Sequence, residues 1–180
     1  MRWADKEVAR KGTKFVRHSV LALAVLMLTL QSATAADRKD PSMTIRGVGL
    51  GSSPAQIVKV LGKPAVETRL TDESGMGMGQ LMELIYDGTK FDLCKPEGHD
   101  DFHTWRLLVT GSEWLVDPEL RVGMTSDDAR EVLGKPRNVS KDRGTGRETL
   151  HYKFASFDGW YWVSAAKGTM VQIGAAEDWS

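Results

Sequence analysis

Cysteine is almost absent from this 180-residue chain, and Cys94 stands alone. A single thiol cannot close an intramolecular disulfide, so a disulfide-stapled scaffold is excluded. Aromatic residues make up only 8% of the chain, and neither sign of charge is in excess, with 24 Lys+Arg against 24 Asp+Glu. That balance gives no reason to expect nucleic acid as a partner. No Gly-x-Ser-x-Gly elbow, phosphate loop or His-Glu-x-x-His helix occurs, so no familiar catalytic motif points to an enzyme or a cofactor. Beyond residue 36 the histidines are His99, His103 and His151. They single out no Ser-His-Asp or Cys-His arrangement, and a non-enzymatic protein is expected. A hydrophobic content of 41% is enough for a packed core and excludes an intrinsically disordered chain.

Long apolar runs are equally scarce, with one exception near the start. Arg2, Lys6, Arg10, Lys11, Lys14 and Arg17 precede eleven apolar or small residues, Val20 to Leu30, and then Ala33-Thr34-Ala35-Ala36. A basic stretch, a short apolar helix and an Ala-x-Ala end predict a secretory signal peptide over residues 1–36, cleaved near Ala35 or Ala36. Eleven residues rising 1.5 Å each cover about half of a ~30 Å hydrocarbon layer, so a retained membrane span is not expected. No cysteine stands at the cleavage site, and a lipoprotein is not expected either. Residues 37–180 keep 18 basic and 22 acidic side chains, a net charge of −4. Cys94, in an oxidising compartment, reads as a buried small hydrophobe or a free thiol.

What the chain does contain is a repeat. Gly51-Ser52-Ser53-Pro54 through Leu61-Gly62-Lys63-Pro64 aligns without a gap on Gly123-Met124-Thr125-Ser126 through Leu133-Gly134-Lys135-Pro136. A self-similar segment of this kind signals a duplicated unit. Each copy predicts a short capped helix. Ser53 and Thr125 are N-caps, Pro54 suits the first helical position, and Gln56 and Asp128 sit where a capping box closes. Ile57, Val60 and Leu61 fall on one helical face, as do Ala129, Val132 and Leu133. Gly62 and Gly134 supply the left-handed residue that ends a helix, and the following prolines prevent its restart.

After each helix the apolar period changes from helical to two. Met82, Leu84 and Tyr86 alternate with Leu81, Glu83 and Ile85; Asp87-Gly88 turns; Lys90 to Cys94 and Arg106 to Thr110 follow as strands. In the second copy Leu150, Tyr152 and Phe154 alternate with His151 and Lys153, then come Trp160 to Ala165 and Thr169 to Ile173. The expected class is α+β, two tandem units of residues 37–113 and 114–180. Each is read as a short helix, or helix pair, on an antiparallel sheet of about four strands, with residues 111–119 as a linker.

The run Gly123-Met124-Thr125-x-x-x-Ala129-x-x-x-Leu133-Gly134-x-Pro136 resembles the signature of the SmpA/OmlA (BamE) family of small bacterial envelope proteins. The tandem spacing resembles the β-lactamase inhibitor protein (BLIP) arrangement, two helix-plus-sheet units side by side. The resemblance implies an exported protein-binding or scaffolding module of the cell envelope, whose partner is another envelope protein.

Three segments carry candidate site residues. Cys94, His99 and His103, with Glu97, Asp100 and Asp101 between them, offer a thiol, two imidazoles and carboxylates for zinc or copper. That is the alternative function, a periplasmic metal-binding protein, although Pro96 and Gly98 also suit a solvated polar loop. Met76 and Met78, within Gly75 to Gly79, read as thioethers on a flexible loop that closes on a partner. Finally, if Leu150, Tyr152 and Phe154 face the helix, His151 and Lys153 face outward. Should Tyr161, Val163 and Val171 form the core set of the next strands, Trp160 and Trp162 join that outer face as interface anchors. The opposite phase buries both tryptophans, and sequence leaves the two phases open because Trp160 to Val163 is apolar throughout.

Overall fold

Both Leu-Gly-Lys-Pro segments end a helix, and both helices are built alike. The computed structural model describes residues 40–72 and 77–178; the segment expected to be a signal peptide, Met76 and Trp179 lie outside the described residues. Helix α1 spans Pro54–Leu61 and α2 spans Ser126–Leu133. Ser53 Oγ accepts from the Gln56 amide at 3.3 Å, while the Ser53 amide donates to Gln56 Oε1 at 2.8 Å. Thr125 and Asp128 repeat the exchange at 3.1 and 2.9 Å. Gly62 and Gly134 follow the helices at φ 84° and 83°, a region that only glycine enters without steric cost. The last carbonyls are then capped from the sheet: Tyr86 donates its hydroxyl to Gly62 O at 2.9 Å and Tyr152 to Gly134 O at 3.4 Å. Burial pushes both phenols up, Tyr152 to about 12. Ile57, Ala129 and Leu133 are buried, but Val60 is exposed, because a two-turn helix turns only a narrow stripe toward the core.

Each helix leads into four strands: β1 Val66–Thr71, β2 Gln80–Tyr86, β3 Thr89–Lys95 and β4 His103–Val109, then β5 Asn138–Lys141, β6 Arg147–Lys153, β7 Gly159–Ala166 and β8 Thr169–Glu177. Every neighbouring pair is antiparallel. The turn before each helix docks on the last strand of its own half. Gly51 and Ser52 exchange backbone bonds with Thr104, and Gly123 and Met124 with Met170, at 2.7 to 2.9 Å. Even the irregularities recur, since β3 and β7 each shift register against the next strand, opposite Trp105 and Val171.

The expectation of an α+β protein with two separate four-stranded sheets is corrected here. The order is β1-β2-β3-β4-β8-β7-β6-β5 in one eight-stranded sheet, and with two eight-residue helices among the described residues the class is mainly β. The physical reason lies at the join. Leu107, Leu108 and Val109 of β4 would end a separate sheet as an apolar edge, and such an edge pairs with whatever strand it meets. They pair with Ile173, Gly174 and Ala175 of β8. Each helix is too short to close a core of its own. One hydrophobic cluster therefore runs under both halves, from Ile57, Leu84 and Phe91 to Leu150, Tyr161 and Ile173.

Residues 111–119 are likewise not a simple linker. Val116 and Leu120 are fully buried, bridge each other, and are tied to the start of the described chain by the Asp117 amide on Thr44 O at 2.9 Å. Ile45 and Val48 make the equivalent bridge in the first half, so the repeat reaches further toward the N-terminus than its helical motif.

The two capping boxes differ in one chemical respect. Side-chain and then backbone hydrogen bonds with Thr125 hold the Asp128 carboxyl below its ordinary value, whereas Gln56 does not titrate. A depressed carboxyl contributes stability above its unfolded pKa and loses it as pH falls through the folded value. Ser53→Ala and Thr125→Ala are each expected to cost about 1 kcal/mol at neutral pH. In acid, urea unfolding should show the Thr125→Ala penalty shrinking and the Ser53→Ala penalty unchanged.

Candidate functional site

Because side chains alternate along a strand, burial of Leu84, Phe91, Leu107, Tyr161 and Tyr152 under the helix layer fixes what faces the other way. Cross-strand register then lays out rows on that open face. One row reads Glu83, Asp92, Arg106, Ala176, Trp160 and Lys153; the next reads Ile85, Lys90, Leu108, Gly174, Trp162 and His151. Trp160, Trp162, His151 and Lys153 are thus brought together on the side away from the helices. Val171 is not part of the buried set; it is the extra residue at the β7–β8 irregularity, and Met170, Ile173 and Ala175 fill the core instead.

The two tryptophans are held differently. Trp160 Nε1 donates to Asp178 Oδ2 at 3.2 Å, and the Lys153 ammonium and the Arg137 guanidinium lie 5.4 and 5.9 Å from its ring centroid. A cation over an indole face is attracted by the ring quadrupole, so Trp160 presents a half-buried platform rimmed by positive charge. Trp162 instead lies flat across β8: a Cβ built on Gly174 would overlap the atoms of its six-membered ring. Only glycine leaves room there. His151 Nε2 is 2.9 Å from Ser140 Oγ, and Lys153 reaches Asp158 at 2.9 Å. Further along the rows, Lys90 bridges Glu83 and Asp92, and Arg106 also binds Asp92. Asp92 is buried, and a buried carboxylate needs such partners. Sequence patterning signalled none of this network, since Asp92 and Arg106 lie on different strands and nothing local pairs them.

The other candidates fare unevenly. Met78 is buried, its amide on Asp72 Oδ2 at 3.0 Å, so it is not a projecting contact; Met76 lies outside the described residues. Cys94 and His103 face each other across β3 and β4, with Sγ and Nε2 3.5 Å apart, and His103 Nε2 is 3.5 Å from Glu177 Oε2. His99 is elsewhere, exposed in the turn after β3, where its amide bonds Pro96 O at 3.1 Å. It borders an open cleft of about 620 Å3 with Asp72, Gln80, Lys95 and Glu97. The segment folds back as a turn, so its three proposed ligands do not converge. Among the described residues no group of three His, Cys, Asp or Glu is placed to hold a metal. Burial, and secondarily the charge of Glu177, push the Cys94 thiol up to about 12, which makes it a poor ligand and a poor nucleophile at neutral pH. Burial also raises the Glu177 carboxyl against the lowering effect of His103.

No family model matches the chain, and no curated protein matches it. Among solved structures it is similar to an extracellular protein containing a SCP domain from Bacillus anthracis str. Ames, at a TM-score of 0.46 and 10% identity. That match covers 81% of this chain and 50% of the other, so the chain spans about half the length of the protein it matches. Among the described residues no helix is long and apolar enough to cross a membrane.

Two measurements check this geometry. Gly174→Ala is expected to destabilise the protein by about 1–3 kcal/mol through overpacking, and most of that loss should vanish in a Trp162→Ala background; fully additive losses would contradict the contact. Cys94 should resist thiol reagents at neutral pH until denaturant unfolds the chain; rapid labelling of the native protein would show it accessible.

Proposed function

We propose that this chain is an exported, non-enzymatic binding or scaffolding module of the cell envelope. It engages a protein partner through the open sheet face. The observation that carries the reading is the placement of Trp160 beside Trp162 on one rigid strand, away from the helix layer, with polar side chains around them. Aromatic side chains held on a scaffold, ringed by polar groups that exclude water, are the usual anchors of protein interfaces. Arg106, Arg137, Lys153 and His151 rim this pair, which suits a partner bringing an apolar side chain to the indoles and carboxylates to the rim. Export rests on the basic, apolar and Ala-x-Ala segment at the start of the chain, and the envelope assignment on the resemblance of the Gly123 to Pro136 motif.

Trp160 is the better residue to test, because Trp162 also packs on the sheet. Capture from an envelope extract with residues 37–180 as bait, followed by titration of the captured protein, decides the matter. Trp160→Ala should weaken that association by about 2 kcal/mol, and Lys153→Glu should weaken it further by charge reversal. Lys59→Ala, on the exposed side of α1, should leave it unchanged. Equal capture by wild type and Trp160→Ala would overturn the proposal.

A further inference from the structure

The two ends of the sheet are not equivalent, although the repeat makes them topological counterparts. Strand β5 has four residues, Asn138–Lys141, while β1 has six, Val66–Thr71, and is the outermost strand at its end of the sheet order. An edge strand presents a row of main-chain donors and acceptors to any strand that fits it. Which residues present them follows from the pairing. The Asp72 amide bonds Gly79 O at 2.9 Å, directly opposite in the β1–β2 register. Antiparallel strands alternate between bonded and non-bonded pairs, so Val66, Thr68 and Leu70 aim their main-chain groups at β2, and Glu67, Arg69 and Thr71 aim theirs outward.

We propose that β1 is a homodimerisation edge, pairing antiparallel with β1 of a second copy about a two-fold axis at Thr68 to give one continuous sheet. In that register the outward-bonding residues meet as an antiparallel ladder requires, Glu67 opposite Arg69 of the second copy and Arg69 opposite its Glu67. The side chains match as well. Val66 falls opposite the other copy's Leu70, and these residues, 47% and 49% exposed in the single chain, cover one another on the open face. Glu67 and Arg69 lie on the opposite face, where they already sit 3.6 Å apart within the strand. Dimerisation exchanges the two weak, solvent-exposed pairs, one within each copy, for two pairs across the interface, flanked by new main-chain bonds. An isologous contact of this kind closes at two copies.

The other edge does not have this property. By the same reasoning, from the Asp142 amide on Arg147 O at 2.9 Å, Val139 and Lys141 point their main chain outward on β5. Self-pairing there sets Val139 against Lys141 of the second copy, with no opposite charge to meet it. A short edge carrying lysine is the ordinary protection against such pairing. The β1 edge, longer and self-complementary, lacks it.

Sedimentation of residues 37–180 from micromolar to millimolar concentration tests the proposal. Wild type should shift reversibly from monomer to dimer. Glu67→Arg and Arg69→Glu each place like charges opposite one another and should each abolish the dimer while leaving the circular dichroism spectrum unchanged. Mixed in equal amounts, the two variants should form a heterodimer, because an edge with arginine at both positions then faces an edge with glutamate at both. The proposal is overturned by a wild type that stays monomeric, by a dimer that neither variant weakens, or by a mixture that fails to associate. It is independent of the open-face reading, which the Trp160→Ala titration addresses.

Discussion

The pairing of β4 with β8 is the interaction on which the rest depends. Four residue pairs, Arg106 with Ala176 through Val109 with Ile173, join the halves. Without them each half is a two-turn helix over four strands, and its apolar last strand is left open to solvent. With them, Leu107 and Ile173 enter the same core as Ile57 and Leu150. The seam also builds the open face: it places Leu108 and Arg106 of one half beside Gly174 and Ala176, with Trp162 and Trp160 next to them. Trp162 lies over Gly174, on the seam strand itself, so the face and the join are coupled in one contact.

Much of this architecture was legible in the sequence, and the legible parts share a cause. Capping boxes, the Gly-Lys-Pro stops and the alternation of Leu150, Tyr152 and Phe154 are local signals, written within a few residues of the structure they specify. Strands β1 and β5 went unread because both are mostly exposed edges, whose sequences Val-Glu-Thr-Arg-Leu-Thr and Asn-Val-Ser-Lys carry little burial contrast. The seam was illegible for a different reason. Pairing between two repeats is long-range and leaves no periodic trace, so the repeat reads as two units with their own sheets. Similarly, Val116 and Leu120 sit beside Asp117-Pro118, and turn-forming chemistry masked their role in the core.

The candidate site was legible in part. Sequence brought Trp160, Trp162, His151 and Lys153 together conditionally, and the burial of Tyr161 and Val163 settles the phase. The Cys94 to His103 segment shows the opposite outcome. Close spacing in sequence suggested convergence, but the turn at Pro96 sends His99 into a solvent-open cleft while Cys94 and His103 meet across two strands. Duplication therefore supplied the same scaffold twice and left its surfaces free to differ. The second half carries the aromatic face, and the first carries the longer edge strand.

Native-state hydrogen exchange tests the central claim most directly. If the seam makes the halves one cooperative unit, the protected amides of Arg106–Val109 and Ile173–Ala176 should open only with global unfolding, at the same free energy as the interior amides of β3 and β7. Seam amides that exchange through a lower-energy opening, while β2–β3 and β6–β7 stay protected, would show two independently stable sheets and contradict the account.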